Sequence, residues 1–171
     1  MARVKRRSRA SKHKRDKDVL MKRVRKHRDK ILKGTMLALD PSCASSASDP
    51  GYAIYEKGKL IDKGIIEVQG KGSMDVYQRL QAIRRCMVEE FTDPIDVIAI
   101  EDVSKLPYRR GSNNTTKSQG VMLAALDCQI VLEITPVVWQ NVSKDFDYEK
   151  DDDVDAEYIG RAIVKMATEE P

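Results

Sequence analysis

Thr35-Met36-Leu37-Ala38-Leu39-Asp40 is a short apolar run that closes on a carboxylate, and Pro41 with the small residues from Ser42 to Ser48 ends it. A buried strand that delivers one charged side chain to its open end has this pattern. Val97-Ile98-Ala99-Ile100-Glu101 repeats the design further on. Between them, Gly51 to Tyr55 begins a second strand and Leu60 to Val68 a third, joined by a tight turn at Lys57-Gly58, with Lys63-Gly64 as a bulge within the third. Three sequential strands predict an antiparallel meander.

Helical spacing takes over downstream. Ser73 is the expected N-cap, with Asp75 in the first turn, of a helix that carries Val76, Leu80, Ile83 and Met87 up to Phe91, and Asp93-Pro94 stops it. Asn113 or Asn114 caps a second helix holding Val121, Met122, Ala125 and Leu126, with Cys128, placed on the same helix, read as a core or dimer-interface thiol. Ile130 to Ile134 is another strand. Ala156, Ile159, Ile163 and Met166 mark one face of a last helix from about Asp153 to Thr168. Residues 135–150 show no clear period, and Trp139 within them reads as a packing residue. Three strands, helix, strand, helix, strand, helix predict an α/β domain in which right-handed crossovers return two strands parallel to the first.

Charge divides the chain. Residues 1–34 hold sixteen Lys and Arg against three Asp, a net +13, and leave the rest at −9 within an overall +4. With almost no apolar residue before Val19, residues 1–34 read as a basic arm, extended or an exposed helix from about Asp18 to Leu32, that binds nucleic acid, ahead of one domain over 35–171. No apolar run is long enough for a membrane span and no secretory leader is evident, so an intracellular location is expected: cytoplasmic and nucleoid-associated in a bacterial or phage-infected cell, nuclear or organellar in a eukaryote.

Cys43, Cys86 and Cys128 are widely separated and read as reduced and mostly core, and both histidines, His13 and His27, lie in the arm. A Ser-His-Asp triad, a Cys-His pair and a His-ligated metal are thereby excluded from the body. The chemistry must run on carboxylates, Lys, Tyr or Ser. In the predicted sheet Asp40 and Glu101 end adjacent parallel strands at the carboxyl edge, and Asp152 and Asp155, three apart, share a helical face that can project toward it. Taken singly, each acid has an ordinary role as a loop cap, a solvated side chain or a helix N-terminal charge. Together they repel, and two magnesium ions, for which manganese would substitute, relieve that repulsion and suit phosphodiester cleavage.

Leu37-Ala38-Leu39-Asp40-Pro41-Ser42 with Gly51-Tyr52-Ala53, Ile98-Ala99-Ile100-Glu101-Asp102-Val103, the helix opening at Thr115 to Gly120, and Asp152-Asp153-Val154-Asp155-Ala156 together resemble the RuvC-type Holliday junction resolvases of the RNase H-like superfamily. The resemblance runs from Thr35 to about Thr168. It implies an RNase H-like α/β fold, a mixed five-stranded sheet of a three-strand meander plus two parallel strands with helices on both faces. It also implies a homodimeric, magnesium-dependent endonuclease that resolves four-way DNA junctions by paired symmetric nicks. Asp40, Glu101, Asp152 and Asp155 would be its catalytic and metal-binding residues, with Lys105, Tyr108, Arg109, Arg110, Lys117 and Lys144 along the DNA path.

Three departures stand out. Ser104 occupies the place of the family's junction-opening aromatic, for which Tyr108 is a substitute, the segment before the Asp pair is compact, and the basic arm is an addition that suggests a divergent phage or viral member. Two other functions stay open: a less selective RNase H-like nuclease on branched DNA or RNA–DNA hybrid, and a non-catalytic nucleic-acid-binding protein. An actin-like ATPase is excluded by length and by the lack of a Gly-rich phosphate loop.

Overall fold

The computed structural model describes residues 9–41, 49–68, 75–103, 112–144 and 155–169. A five-stranded sheet is built from β1 (Thr35–Asp40), β2 (Gly51–Glu56), β3 (Lys59–Ile65), β4 (Val97–Glu101) and β5 (Val131–Ile134), in the spatial order β3-β2-β1-β4-β5. β1 pairs antiparallel with β2 and parallel with β4, and β4 parallel with β5. This is the expected mixed α/β sheet. β1 and β4 lie inside it, covered on both faces, which is why their apolar runs are unbroken: Met36 to Leu39 and Val97 to Ile100 are all buried.

Alternation along these strands divides the core in two. Met36, Ala38, Val97, Ala99, Leu132 and Ile134 face one layer, formed by α1 (Arg9–Lys26), α2 (Arg28–Lys33), α5 (Pro136–Ser143) and α6 (Asp155–Thr168). Leu37, Leu39, Ile98 and Ile100 face α3 (Val76–Glu90) and α4 (Ser112–Ala125) on the other side. Helices therefore cover both faces.

Local chemistry sets the connections. Lys57 and Gly58 both take positive φ, 51° and 72°, as a two-residue hairpin turn of the type that matches strand twist requires. The bulge expected at Lys63-Gly64 lies instead at Ile61, which is skipped where Ile54 pairs with Asp62 and Tyr55 with Leu60. Gly64 serves a different purpose, since a Cβ there would stand 3.0 Å from the ring of Tyr52, its cross-strand partner. Helix α3 is capped by Asp75 and not Ser73: the Asp75 carboxylate accepts from the amides of Tyr77 and Gln78, and the Gln78 side chain accepts from the Asp75 amide.

Two elements differ from expectation. Helix formation in the basic stretch begins at Arg9, well before Asp18, and breaks at His27. Leu20, Val24 and Ile31 enter the main core, so this stretch is packed on the body and not wholly exposed. α1 runs along the free edge of β5, where the Arg23 guanidinium donates to the Val131 carbonyl at 2.5 Å and covers an otherwise open strand. Helix α6 is buried nearly all round and not on one face alone: beyond Ala156, Ile159, Ile163 and Met166 it also buries Tyr158, Gly160, Ala162 and Ala167. The sheet lies on one side of it, α1, α2 and α5 on the other, and Arg28 donates to the Ala167 carbonyl at 2.8 Å.

Candidate active site

The parity that divides the core also directs the acids. Asp40 continues the Met36, Ala38 series and Glu101 the Val97, Ala99 series, so both carboxylates face the α6 layer. Leu39 pairs with Ile100, which sets Asp40 and Glu101 next to each other in adjacent parallel strands at the carboxyl edge. Helix α6 starts at the same place with Asp155 as its first residue. Gly51, opposite Asp40 in the ladder, lies against the start of α6: an added Cβ there would be in ordinary contact, 3.5 Å from Ala156 Cβ and 3.7 Å from Asp40 Cβ.

Glu101 is held by a buried partner. Its Oε1 accepts a hydrogen bond from the indole Nε1 of Trp139 at 3.0 Å. Burial pushes its carboxyl above the ordinary range; the indole N–H opposes that shift, and the charges of Asp155 and Asp102 add to it. Asp102, itself buried, extends the ladder one step as its amide donates to the Ile134 carbonyl at 2.8 Å.

Trp139, a packing residue by its sequence context, is both packed and polar, 2% exposed with its N–H on Glu101. The signal that points to it is Thr135-Pro136, an N-cap position followed by proline at the first helical residue, which starts α5 in the stretch without a clear period. A Trp one turn into a helix that leaves β5 stands beside the end of β4.

Glu157, in the same first turn as Asp155, has a structural role: it is buried, with Lys63 Nζ 2.6 Å from its Oε2 and Arg161 on its other oxygen, while the buried Tyr55 hydroxyl donates to its carbonyl at 2.7 Å. Burial raises the Tyr55 hydroxyl well above its ordinary value, so it stays a donor.

Among the described residues, no three Asp, Glu, His or Cys side chains stand close enough together to hold one metal ion. Asp152 lies outside the described residues. The carboxylates present are hard oxygen donors of the kind magnesium and manganese take, and a cation among them would offset the crowding of negative charge on Glu101.

No family model and no curated protein matches the sequence. Among solved structures, T. thermophilus RuvC in complex with Holliday junction substrate superposes with a TM-score of 0.55 at 14% identity, over 78% of this chain and 92% of that one. A second Thermus thermophilus RuvC structure gives 0.50 at 13%, over 78% and 93%. The fold is RuvC-like.

Within this RuvC-like fold the expected DNA-path residues divide. Lys105, Tyr108, Arg109 and Arg110 lie outside the described residues. Lys117 is exposed on α4, its ammonium 5.4 Å from the centre of the exposed Tyr77 ring of α3, on the layer opposite α6. Lys144 is exposed at the end of α5 and donates to Asn141 Oδ1 at 2.9 Å. Of the cysteines, Cys43 lies outside the described residues, and Cys86 and Cys128 are free thiols, half-buried, with burial raising both. Cys128 follows α4, which ends at Ala125, and does not lie on the helix as expected. Among the described residues no helix is long and apolar enough to cross a membrane.

Proposed function

We propose that this protein is a metal-dependent endonuclease that resolves four-way DNA junctions by paired symmetric nicks. The observation that carries the reading is the placement of Asp40 and Glu101 on neighbouring parallel strands, on the same face and edge, with Asp155 opening the helix packed on that face. Nothing in folding requires three acids along one edge, and the burial of Glu101 near the charges of Asp155 and Asp102 costs stability that a cation would offset.

Asp40, Glu101 and Asp155, joined by Asp152, would hold two magnesium ions, with manganese able to replace them. Bound there, the ions would supply an activated water at neutral pH and charge stabilisation of the leaving oxygen. The protein's own part is orientation. Trp139 fixes one oxygen of Glu101, and Tyr55 and Lys63 hold the first turn of α6. Cations from Lys105 to Lys117, with Lys144, would track the DNA backbone, and two copies related by a two-fold axis would cut both strands.

Ser104, where RuvC-type resolvases carry an aromatic, favours a second reading in which the nuclease accepts branched DNA more broadly or RNA–DNA hybrid. A substrate panel separates the two. Purified protein with magnesium is expected to nick four-way junctions in symmetric pairs and leave linear duplex and hybrid intact, and Asp40→Asn or Asp155→Asn is expected to bind the junction without cutting it. Equal cutting of duplex and junction would contradict the resolvase reading. Tight binding with no metal-dependent turnover would contradict the nuclease itself.

A further inference from the structure

Helix α1 carries nine Lys and Arg against two Asp over eighteen residues, a density at which neighbouring cations repel along the helix surface. The helix is nevertheless fixed, because Leu20 and Val24 are buried in the core and Arg23 is bonded to the edge of β5. The helix that carries these charges is therefore docked on the body through Leu20, Arg23 and Val24.

One flank of that helix opens on the outer helical layer. Lys14 and Lys17, three apart on α1, line a cleft of about 370 Å³ with Lys165 of α6 and Asn141 and Val142 of α5; Glu169 is the one acid among the described residues that line it. The other flank presents Arg15 and Asp16 to a cleft of about 290 Å³ that Asp102 and Thr135 also line. Those two residues directly follow the ends of β4 and β5, so the N-terminal half of α1 stands beside the sheet edge that bears Asp40 and Glu101. From Lys14 the cations continue through exposed Lys22, Arg25 and Lys26.

We propose that the cleft between α1, α5 and α6 takes the sugar-phosphate backbone of duplex nucleic acid flanking the carboxylate edge, with Lys14, Lys17 and Lys165 on its phosphates. The inference rests on the nuclease reading only for where the scissile bond lies. A continuous polyanion fits better than a small anion, because the cations extend along a helix about 27 Å long. A membrane surface fits less well, because the apolar side of α1 is already used in the core and no apolar face is left to insert. The surface lies on the layer opposite Lys117, so the edge is flanked by cations on both sides.

Binding of the full-length protein to a fluorescent duplex and a four-way junction, followed by anisotropy in EDTA over a potassium chloride series, tests it. The triple variant Lys14→Gln, Lys17→Gln, Lys165→Gln is expected to lower the slope of log affinity against log salt by about 2–3, at roughly 0.9 for each phosphate no longer neutralised, and to weaken binding at least about tenfold at low salt. A variant that melts like the wild type and keeps the same slope and affinity would overturn the proposal. Wild type that binds phosphatidylserine vesicles in preference to DNA would overturn it as well. Because EDTA removes metal, the two readings fail separately: steep salt-dependent binding that the variant loses, without cleavage in magnesium, supports this surface and sinks the nuclease, whereas cleavage with an unchanged slope does the reverse.

Discussion

The indole Nε1 of Trp139 donates a 3.0 Å hydrogen bond to Oε1 of Glu101, joining a helix that follows the last strand to the acid that ends its neighbour. Trp139 is buried, so this N–H has no water to turn to, and it holds the carboxylate in one rotamer with its second oxygen left for other partners.

Trp139→Phe keeps the ring and removes the donor. Partners of this kind typically contribute about 10–100-fold to metal affinity, and a loss of that size is expected. It is read as a rightward shift in the magnesium or manganese concentration that raises Tm. Trp139 is the chain's one tryptophan, so wild-type fluorescence should change along the same titration. A variant with wild-type metal response would show that the hydrogen bond only packs α5.

Glu101 carries a pH signature. Its folded carboxyl is raised above the ordinary value of 4.5, chiefly by burial, so the native state holds the proton more tightly than the unfolded chain. The sign follows: stability of metal-free protein falls as pH rises from the ordinary value through the raised one, and stays reduced above it. Glu101→Gln should match wild type at acid pH, where Glu101 is protonated in both states, and melt above it at neutral pH. Metal should no longer stabilise that variant. A Tm difference independent of pH would contradict the electrostatic account.

Gly160 sits where α6 crosses β2, and an added Cβ would overlap the ring of buried Tyr55. Gly160→Ala is expected to destabilise by about 1–3 kcal/mol through overpacking and, by lifting the helix that begins at Asp155, to weaken the metal-induced rise in Tm as well. Thermal melts with and without metal read both effects.

Arg79 of α3 and Asp49, two residues before β2, form a buried ion pair at 2.8 Å with side chains 4% and 0% exposed. Arg79→Ala leaves a buried charge behind and should cost about 3–5 kcal/mol, measured by urea denaturation. Replacing both partners by apolar residues should recover much of that. A loss below about 1 kcal/mol for the single change would show that water reaches the pair.

Much of the architecture is legible in the chain because the central strands announce themselves. Unbroken apolar runs at Met36 to Leu39 and Val97 to Ile100, each closing on an acid, imply two-sided burial, and the crossover rule then brings Asp40 beside Glu101. What escapes a reading of the chain has physical causes. Eight residues of α5 are too short to display a period, so the face that turns Trp139 to Glu101 does not show in the apolar pattern and only the Thr135-Pro136 start marks the helix. Leu20 and Val24 are four apart, enough to dock α1, yet the cations around them dominate the composition and conceal the face. The Ile61 bulge leaves no glycine as a marker, because the skipped residue needs no special backbone angle. The all-round burial of α6 depends on a second helical layer, which no local pattern encodes.

Cleavage of a mobile four-way junction in magnesium by wild type beside Glu101→Gln tests the carboxylate edge most directly. Paired, symmetric nicks by the wild type, with loss of cutting but retained junction binding in the variant, is the expected result. Cutting at wild-type rate by Glu101→Gln, or none by either protein at millimolar magnesium or manganese, would contradict it.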